Sequence, residues 1–507
     1  MAQSTAGTNL VANCTATGMP APSVVFKIDL ADAGFGNEGT WAENASAYVE
    51  SVSIEQQEHN LDAGAVMGGG MLSGRCTVTL WNGEGRYSTD YAAGALYASI
   101  SGGMRGMRVY VALGRVDATN GAETLPQFSG YIASVTEDGS GKHVTLECHD
   151  RGWRFQPGIL TGYTGLFVDT SVETYLDAVV ALLPLADQPT VVADATLYPI
   201  PAAWMEGDNG IREFGELAAC QGGSIYFDKE GNLTFKNSTA WVRDADSVAS
   251  QYTFDGDDYV GAVQQVGRQE RAGRVVVTYT PRYIATSQDV WQASEVYQVR
   301  AGETRTETIT LRNPLYAVIE PAAETDYRAI TAGGRDVTDD LTVTLADIRA
   351  TKMDVEMENT GSVALYVSFL RVRGRPVLPR ESLTVEFGDA DGEALRIQNL
   401  YINSEGHAKS IGNLVYDVLA TPKPMYRLSG MPALPWLELR DRVTMTYGLG
   451  LSSKAFFIVG MRQYWQAGGD YLMDFDMIPA SLFPYTDWFV IGTSKLGAGA
   501  GKGRVWY

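Results

Sequence analysis

The sequence predicts a mainly β (α+β) protein, and three observations carry that prediction. Apolar and polar residues alternate with period two in several blocks, as in Cys76–Leu80 (Cys, Thr, Val, Thr, Leu) and Val144–Asp150. Such alternation marks strands with one buried and one wet face. Composition agrees: 55 Gly, 26 Tyr, 16 Phe and 10 Trp stand against 19 Pro. Aromatic side chains suit pleated surfaces, and glycine suits tight turns and bulges. Helical periodicity, finally, is confined to three short segments.

The chain of 507 residues is too long for one core and predicts three or four domains. Its hydrophobic content of 45% is that of a soluble globular protein. A formal charge of -21, from 60 acidic and 39 basic residues, excludes binding a phosphate backbone by counterion release. It equally argues against docking on anionic lipid. The charge reads as solubility, or more sharply as a surface past which a polyanion slides without sticking. Cys14, Cys76, Cys148 and Cys220 are widely spaced, with no C-x-x-C, and read as buried free thiols. Met1–Pro20 lacks the basic start and apolar centre of a signal peptide. Apolar runs fall far short of the ~18 residues of a membrane-spanning helix.

Residues 1–23 read as a flexible arm, followed by a short strand over Val24–Leu30 and a Gly- and Asn-rich loop over Ala31–Asn44. Val49–Gln56, Cys76–Leu80, Gly106–Arg115 and Gln127–Asp150 supply strands, the last block turning at Glu137–Lys142. A helix follows Asp169, where Thr170 and Glu173 have capping-box spacing. Its apolar face is Val172, Tyr175, Leu176, Val179 and Leu183, and Pro184 stops it. A second helix runs through Ile211–Cys220 to Gly222-Gly223, followed by strands Ser224–Phe227 and Leu233–Lys236 around the turn Asp228–Asn232.

From Asp255 the pattern is again β. Strands are expected at Arg274–Tyr279, on both sides of Ala301-Gly302-Glu303, and at Leu341–Leu345, Asp354–Glu358 and Ala364–Val372, with Asn359-Thr360-Gly361 as a hairpin turn. Ser404 caps a helix to Leu419 whose face is Ala408, Ile411, Val415, Val418 and Leu419. Leu437–Tyr447, Ala455–Trp465 and Asp470–Ile478 finish the antiparallel pattern. Glycines at 492, 497, 499, 501 and 503 predict a flexible tail. Its Val505-Trp506-Tyr507 terminus reads either as a loose end or as an apolar hook for a neighbouring subunit.

Four motifs in fixed order resemble the hub proteins of tailed-bacteriophage tails and baseplates. The first barrel motif is the strand ending at Asn82 with a following Tyr87, then Val109-Tyr-Val111-Ala-Leu-Gly114, Phe128-Ser-Gly130-Tyr-Ile132, and a strand ending in Asp150. The second is the hairpin Phe227-Asp228-Lys229-Glu230-Gly231-Asn232-Leu233. The third is Val355–Gly361 followed by Tyr366–Pro376, similar to the sandwich domain of those proteins. The fourth is the closing order "G-D-x-V", "F-x-V" and a strand ending at Pro, here with Arg440 in place of the glycine.

The resemblance implies two tail-tube-like β-barrel domains, a small α/β domain and a β-sandwich domain. On that basis residues 1–44 are an arm and short strand, 45–157 the first barrel, 158–245 the α/β domain and 246–300 the start of the second barrel. Residues 301–435 become the sandwich or insertion region with one helix, 436–485 the closing strands and 486–507 the tail.

What this implies is a structural virion protein made in the host cytoplasm, not an enzyme. It would be a homotrimeric hub whose two barrels per chain form a pseudo-sixfold ring joining a hexameric tail tube to a trimeric tip. Tail tube and distal tail proteins, tip or fibre proteins and the tape-measure protein would be its partners. DNA would pass the lumen without specific binding. Two other readings stand beside it: a carbohydrate-binding or carbohydrate-active host-recognition protein, with Trp465, Trp488 or Trp506 stacking on sugars, and a hexameric distal tail protein.

No catalytic, cofactor or metal site is expected. His143 and His149 share a strand face but lie six residues apart, about 20 Å at about 3.3 Å per residue. Cys148 and Asp150 point to the opposite face from His149, so Cys148-His149-Asp150 is a poor metal or nucleophile site. Its expected role is strand-end packing, with Asp150 accepting backbone N–H groups. Asp255-Gly-Asp-Asp258 lacks the further ligands of a calcium loop. No phosphate-binding, esterase or zinc-peptidase motif occurs, and 60 acidic residues single out no carboxylate pair for glycoside hydrolysis.

Overall fold

Alternation in the sequence becomes a sheet with a dry and a wet face. In a computed structural model, which describes residues 21–57, 74–117, 121–207, 210–255, 262–268, 272–389, 391–420, 423–446, 451, 453–483, 495–496 and 502–503, the protein is mainly β. The first six strands labelled here are β1 (Ala21–Ile28), β2 (Val49–Gln57), β3 (Arg75–Trp81), β4 (Arg108–Asp117), β5 (Gly121–Glu137) and β6 (His143–Asp150). They pair antiparallel in the order β2-β3-β6-β5-β4-β1. The arm expected over residues 1–23 lies mostly outside the described residues. From Ala21, however, the chain is a full strand, with Ala21 opposite Val116 and Ile28 opposite Val109.

Two glycines of the first barrel motif are explained by close approach of the neighbouring strand. A Cβ on Gly114 would collide with the carbonyl of Glu123, and one on Gly130 with the carbonyl of His149. Asn82 organises the turn after β3: its Oδ1 accepts from the N–H of Tyr87 at 2.8 Å and its Nδ2 donates to Ser88 Oγ at 2.8 Å. The buried Tyr87 hydroxyl then donates to Glu43 at 2.9 Å.

The α/β segment follows. Helix α1 (Val172–Val180) is capped by Ser171, whose Oγ accepts from the N–H of Thr174 at 3.1 Å. The expected cap, Thr170, is occupied otherwise: its N–H and C=O both pair with Ile200. Helix α2 (Gly210–Cys220) ends before Gly222, whose φ of 60° closes the helix. Strands β7 (Ser224–Phe227) and β8 (Leu233–Lys236) form the predicted hairpin. Gly231 at its tip has φ 85°, and a Cβ there would press on Arg151 Cδ at 2.8 Å and Ser129 Cβ at 2.9 Å. The hairpin tip therefore packs directly on the first strand unit.

The next labelled strand, β9 (Ala262–Arg268), is separated from its partners by a long excursion. Within it Leu365–Pro379 pairs with five shorter strands, and Thr304–Thr310, Lys352–Asn359 and Leu341–Ala346 form a second sheet. Both sheets bury one core containing Met353, Val355, Val367 and Val372. One expected hairpin is corrected here: Asn359-Thr360-Gly361 crosses from one sheet to the other. The strands expected on both sides of Ala301-Gly302-Glu303 are present and belong to different sheets. Asn359 is a buried bracket at that crossing, donating to the carbonyls of Val299 (3.1 Å) and Val363 (2.9 Å).

The chain returns through α3 (Glu405–Leu419), capped by Ser404 as expected. Then come β10 (Pro424–Pro432), β11 (Arg442–Met445), β12 (Lys454–Gln466) and β13 (Tyr471–Pro479). Strand β10 falls in the stretch that the sequence assigned to the sandwich region. A bulge between Leu428 and Met431, with Gly430 at φ 68°, hides its alternation. Leu437–Asp441, expected as strand, is a turn in which Arg440 adopts φ 74°.

Candidate functional site: a strand seam

Strands β9-β10-β13-β12-β11 repeat the order β2-β3-β6-β5-β4. The register repeats too. Partners across the first unit run Ile54–Cys76–Cys148–Ile132, and across the second Gln265–Tyr426–Met477–Ile458. One residue earlier, Tyr131 lies opposite Arg108 and Phe457 opposite Arg442. Directly after Ile132 and directly after Ile458 the pairing slips by one residue. The resemblance stops at the next strand. β1 is antiparallel to β4, whereas Tyr252–Phe254 is parallel to β11.

The two units meet in one strand pair. The second half of β12, Gly460–Gln466, pairs antiparallel with Gln57–Ser51 of β2 and joins the two units into one sheet of 13 strands among the described residues. Its dry side is one apolar cluster in which Val52, Ile54 and Leu146 share a core with Met461, Trp465 and Phe475. Its wet side carries alternating charge. Arg462 Nε contacts Glu55 at 3.0 Å and its Nη1 contacts Asp476 at 3.1 Å; Asp476 also receives Arg427. Ser51, Ser53, Thr77, Gln466 and the half-exposed Tyr464 continue this face.

Buried polar groups lock the joint from the dry side. Gln463 Nε2 donates to Gln127 Oε1 at 2.7 Å, and Tyr471 donates to Gln463 Oε1 at 2.6 Å. The carbonyl of Pro435 accepts from Gln127 Nε2 at 2.9 Å and from Lys229 Nζ at 2.8 Å. Lys229, at the tip of the β7–β8 hairpin, also donates to the carbonyl of Leu437 at 2.5 Å. One carbonyl thus ties the first unit, the α/β hairpin and the second unit together. Burial lowers the pKa of Lys229 and pushes the carboxyls of Asp441 to about 8 and of Glu230 to about 7, neighbouring acids adding to the latter.

Arg440, which replaces the motif glycine, takes the left-handed backbone that glycine favours. Its buried guanidinium lies 4.3 Å from the Trp241 ring centre and donates to Ser224 Oγ at 2.8 Å.

Cys76, Cys148 and Cys220 are buried free thiols; Cys14 lies outside the described residues. Burial pushes the Cys220 thiol up to about 12, and those of Cys76 and Cys148 also upward. Cys148 and Asp150 face the core while His149 is half-buried on the other face. Asp150 accepts from the N–H of Gly152 at 2.9 Å and from that of Gly74. His143 pairs with Glu50 at 2.7 Å, away from His149. Among the described residues no three His, Cys, Asp or Glu side chains converge as for a metal ion. No described helix is long and apolar enough to cross a membrane. Trp465 is only 5% exposed and belongs to the core, so it offers no platform for a sugar. Trp488, Trp506, His59, Gly256–Asp258 and most of the tail lie outside the described residues.

No family profile and no curated protein matches the sequence. The solved structures it resembles include phage tail proteins. The 43 kDa tail protein of prophage MuSo2 from Shewanella oneidensis is 11% identical, with a TM-score of 0.48 over 91% of this chain and 99% of that one. A tail protein from Neisseria meningitidis MC58 is 8% identical, with a TM-score of 0.45 over 92% and 98%. Prophage tail protein gp18 from Listeria monocytogenes EGD-e is 9% identical, with a TM-score of 0.37 over 90% and 94%.

Proposed function

We propose that this chain is a structural hub protein of a phage tail or baseplate, not an enzyme. One observation carries the reading: two five-strand units with the same order and register are fused through the β2–β12 pair. A chain that contains two similar units and assembles as a trimer presents six of them around a ring. Such a ring mates a sixfold tube to a threefold tip, which a single-unit subunit cannot do at both ends. The sequence motifs point the same way, since their glycines and turn residues sit where these units need them. In this reading residues 45–157 form one barrel, and β9 to β13 form the other. Of the stretch 246–300, expected to start that second barrel, Arg274–Tyr279 pairs instead with Leu383–Gly388 and Ala394–Gln398, and Arg282–Ile284, Gln288–Gln292 and Tyr297–Val299 pair with Leu365–Pro379.

The same reading makes the protein a conduit and adaptor in the virion. Its neighbours would be the tube and distal tail proteins, the tip or fibre proteins and the tape measure. The net charge of -21 keeps DNA from adhering as it passes. The burial of Trp465 removes the described support for a sugar-binding alternative. Electron-microscopic class averages of the purified assembly test the proposal. A ring of three copies with six similar lobes supports it. Six copies per ring would indicate a hexameric distal tail protein instead.

A further inference from the structure

After β13 the chain runs into the wall of an apolar cleft. Trp241 and Val248, Tyr426 of β10, Phe456 and Phe457 of β12, and Phe483 line it, and its volume is about 880 Å³. That is room for several large side chains. Phe483 stacks on Trp241 with ring centres 4.6 Å apart and planes 11° apart, and Phe457 packs on Trp241 at 5.0 Å. Val248, on the rim, is 52% exposed. The rim reverses the charge of the chain. Lys423, Arg442 and Lys454 line the cleft, and among the described residues no Asp or Glu does, although acidic residues outnumber basic ones 60 to 39 overall. Arg442 is held there by its Nη1, which donates to the carbonyl of Val248 at 2.9 Å. The cleft suits an occupant with large apolar groups and a negative charge.

The sequence carries such an occupant directly beyond Phe483. Residues 484–491, outside the described residues, read Pro-Tyr-Thr-Asp-Trp-Phe-Val-Ile. Tyr485, Trp488, Phe489, Val490 and Ile491 are large and apolar, Asp487 is the one acid, and there is no base. We propose that residues 485–491 fill the cleft of their own chain, with Trp488 and Phe489 against the aromatic wall and Asp487 at the cationic rim. Trp488 follows Phe483 by five residues, at most about 17 Å of extended chain at about 3.3 Å per residue. A tether this short gives an effective concentration on the order of millimolar, so the chain's own segment outcompetes that of a second copy. Filling the cleft also removes from water two apolar surfaces that are each costly to leave wet. Cleft and segment belong to one chain, so the inference stands apart from the number of copies in a ring.

The test uses the full chain. A water-soluble carbodiimide joins a carboxylate only to an amine in contact with it. The expected product is a link from Asp487 to Lys423 or Lys454, found by mass spectrometry in the band of one-chain mass on a denaturing gel. The second readout is the fluorescence anisotropy of a fluorescein-labelled peptide of residues 484–492. The parent chain, its cleft filled, should leave the peptide free. The full-length variant carrying Trp488→Ser and Phe489→Ser should bind it, and adding Lys423→Glu and Lys454→Glu should weaken that binding about tenfold or more. The link found only in bands of higher mass would put the segment on a neighbouring copy and overturn the inference. No link from Asp487 to either lysine, or peptide binding that is the same for parent and variant, overturns it too.

Discussion

Gln463 of β12 donates to Gln127 of β5 at 2.7 Å, with both amides buried between the two strand units. Gln127 passes the connection on to Pro435, and Tyr471 completes Gln463. A buried amide that loses its partner retains its desolvation cost, about 1–3 kcal/mol. Gln127→Ala and Gln463→Ala should each destabilise the chain by about that amount, and the double variant by clearly less than their sum. Denaturant unfolding of the four chains measures the coupling; strict additivity would show that the contact contributes nothing.

Lys229 should matter more than its place in a turn suggests. Its ammonium satisfies the carbonyls of Pro435 and Leu437 in a dry joint. Lys229→Ala should cost about 3 kcal/mol, because hydrogen bonds to a charged donor are lost and a cavity opens. Lys229→Met, which keeps the volume, should cost less. Equal stability of all three chains by thermal melting would contradict the role of the hairpin as a tie.

Glu230 and Asp441 give the joint a pH dependence with a defined sign. Their folded values of about 7 and about 8 lie above the unfolded carboxyl values near ~4. The folded chain therefore holds more protons than the unfolded one across that window, and this contribution to stability falls as pH rises. Between about pH 5 and about pH 8, Glu230→Gln and Asp441→Asn should gain stability relative to the parent chain. Parallel melting curves across that range would rule this out.

Two backbone positions make opposite predictions. Gly130→Ala drives a methyl into the carbonyl of His149 and should cost about 3 kcal/mol or more. At Arg440, φ 74° favours glycine, but the side chain is bound to Ser224 and stacked on Trp241. Arg440→Gly should therefore be more stable than Arg440→Ala by about 1 kcal/mol, with both below the parent chain. Calorimetry of the two variants decides the order.

Local features were legible in the sequence because local physics determines them. The β7–β8 hairpin was read to its residue limits, since Asp228 and Gly231 fix a tight turn between two short strands. The helix face Val172, Tyr175, Leu176 and Val179 is buried as its spacing requires. The α1 cap falls one residue later than its spacing suggests because the backbone of Thr170 is taken by a bridge to Ile200. Long-range register was not legible, because no local pattern records that Ile54 and Gln265 are counterparts. The polar lock left only a faint signal: Gln463 occupies the dry phase of β12, between Met461 and Trp465. A polar residue in an apolar phase is a sign of a specific partner.

The central claim is that two matched units per chain build a six-lobed ring from three chains. The native mass of the purified assembly, taken together with rotational class averages of the same sample, tests it most directly. The expected result is a mass of three chains and averages with three strong and six approximate repeats. A mass of six chains, or a stable monomer with no ring, would contradict it.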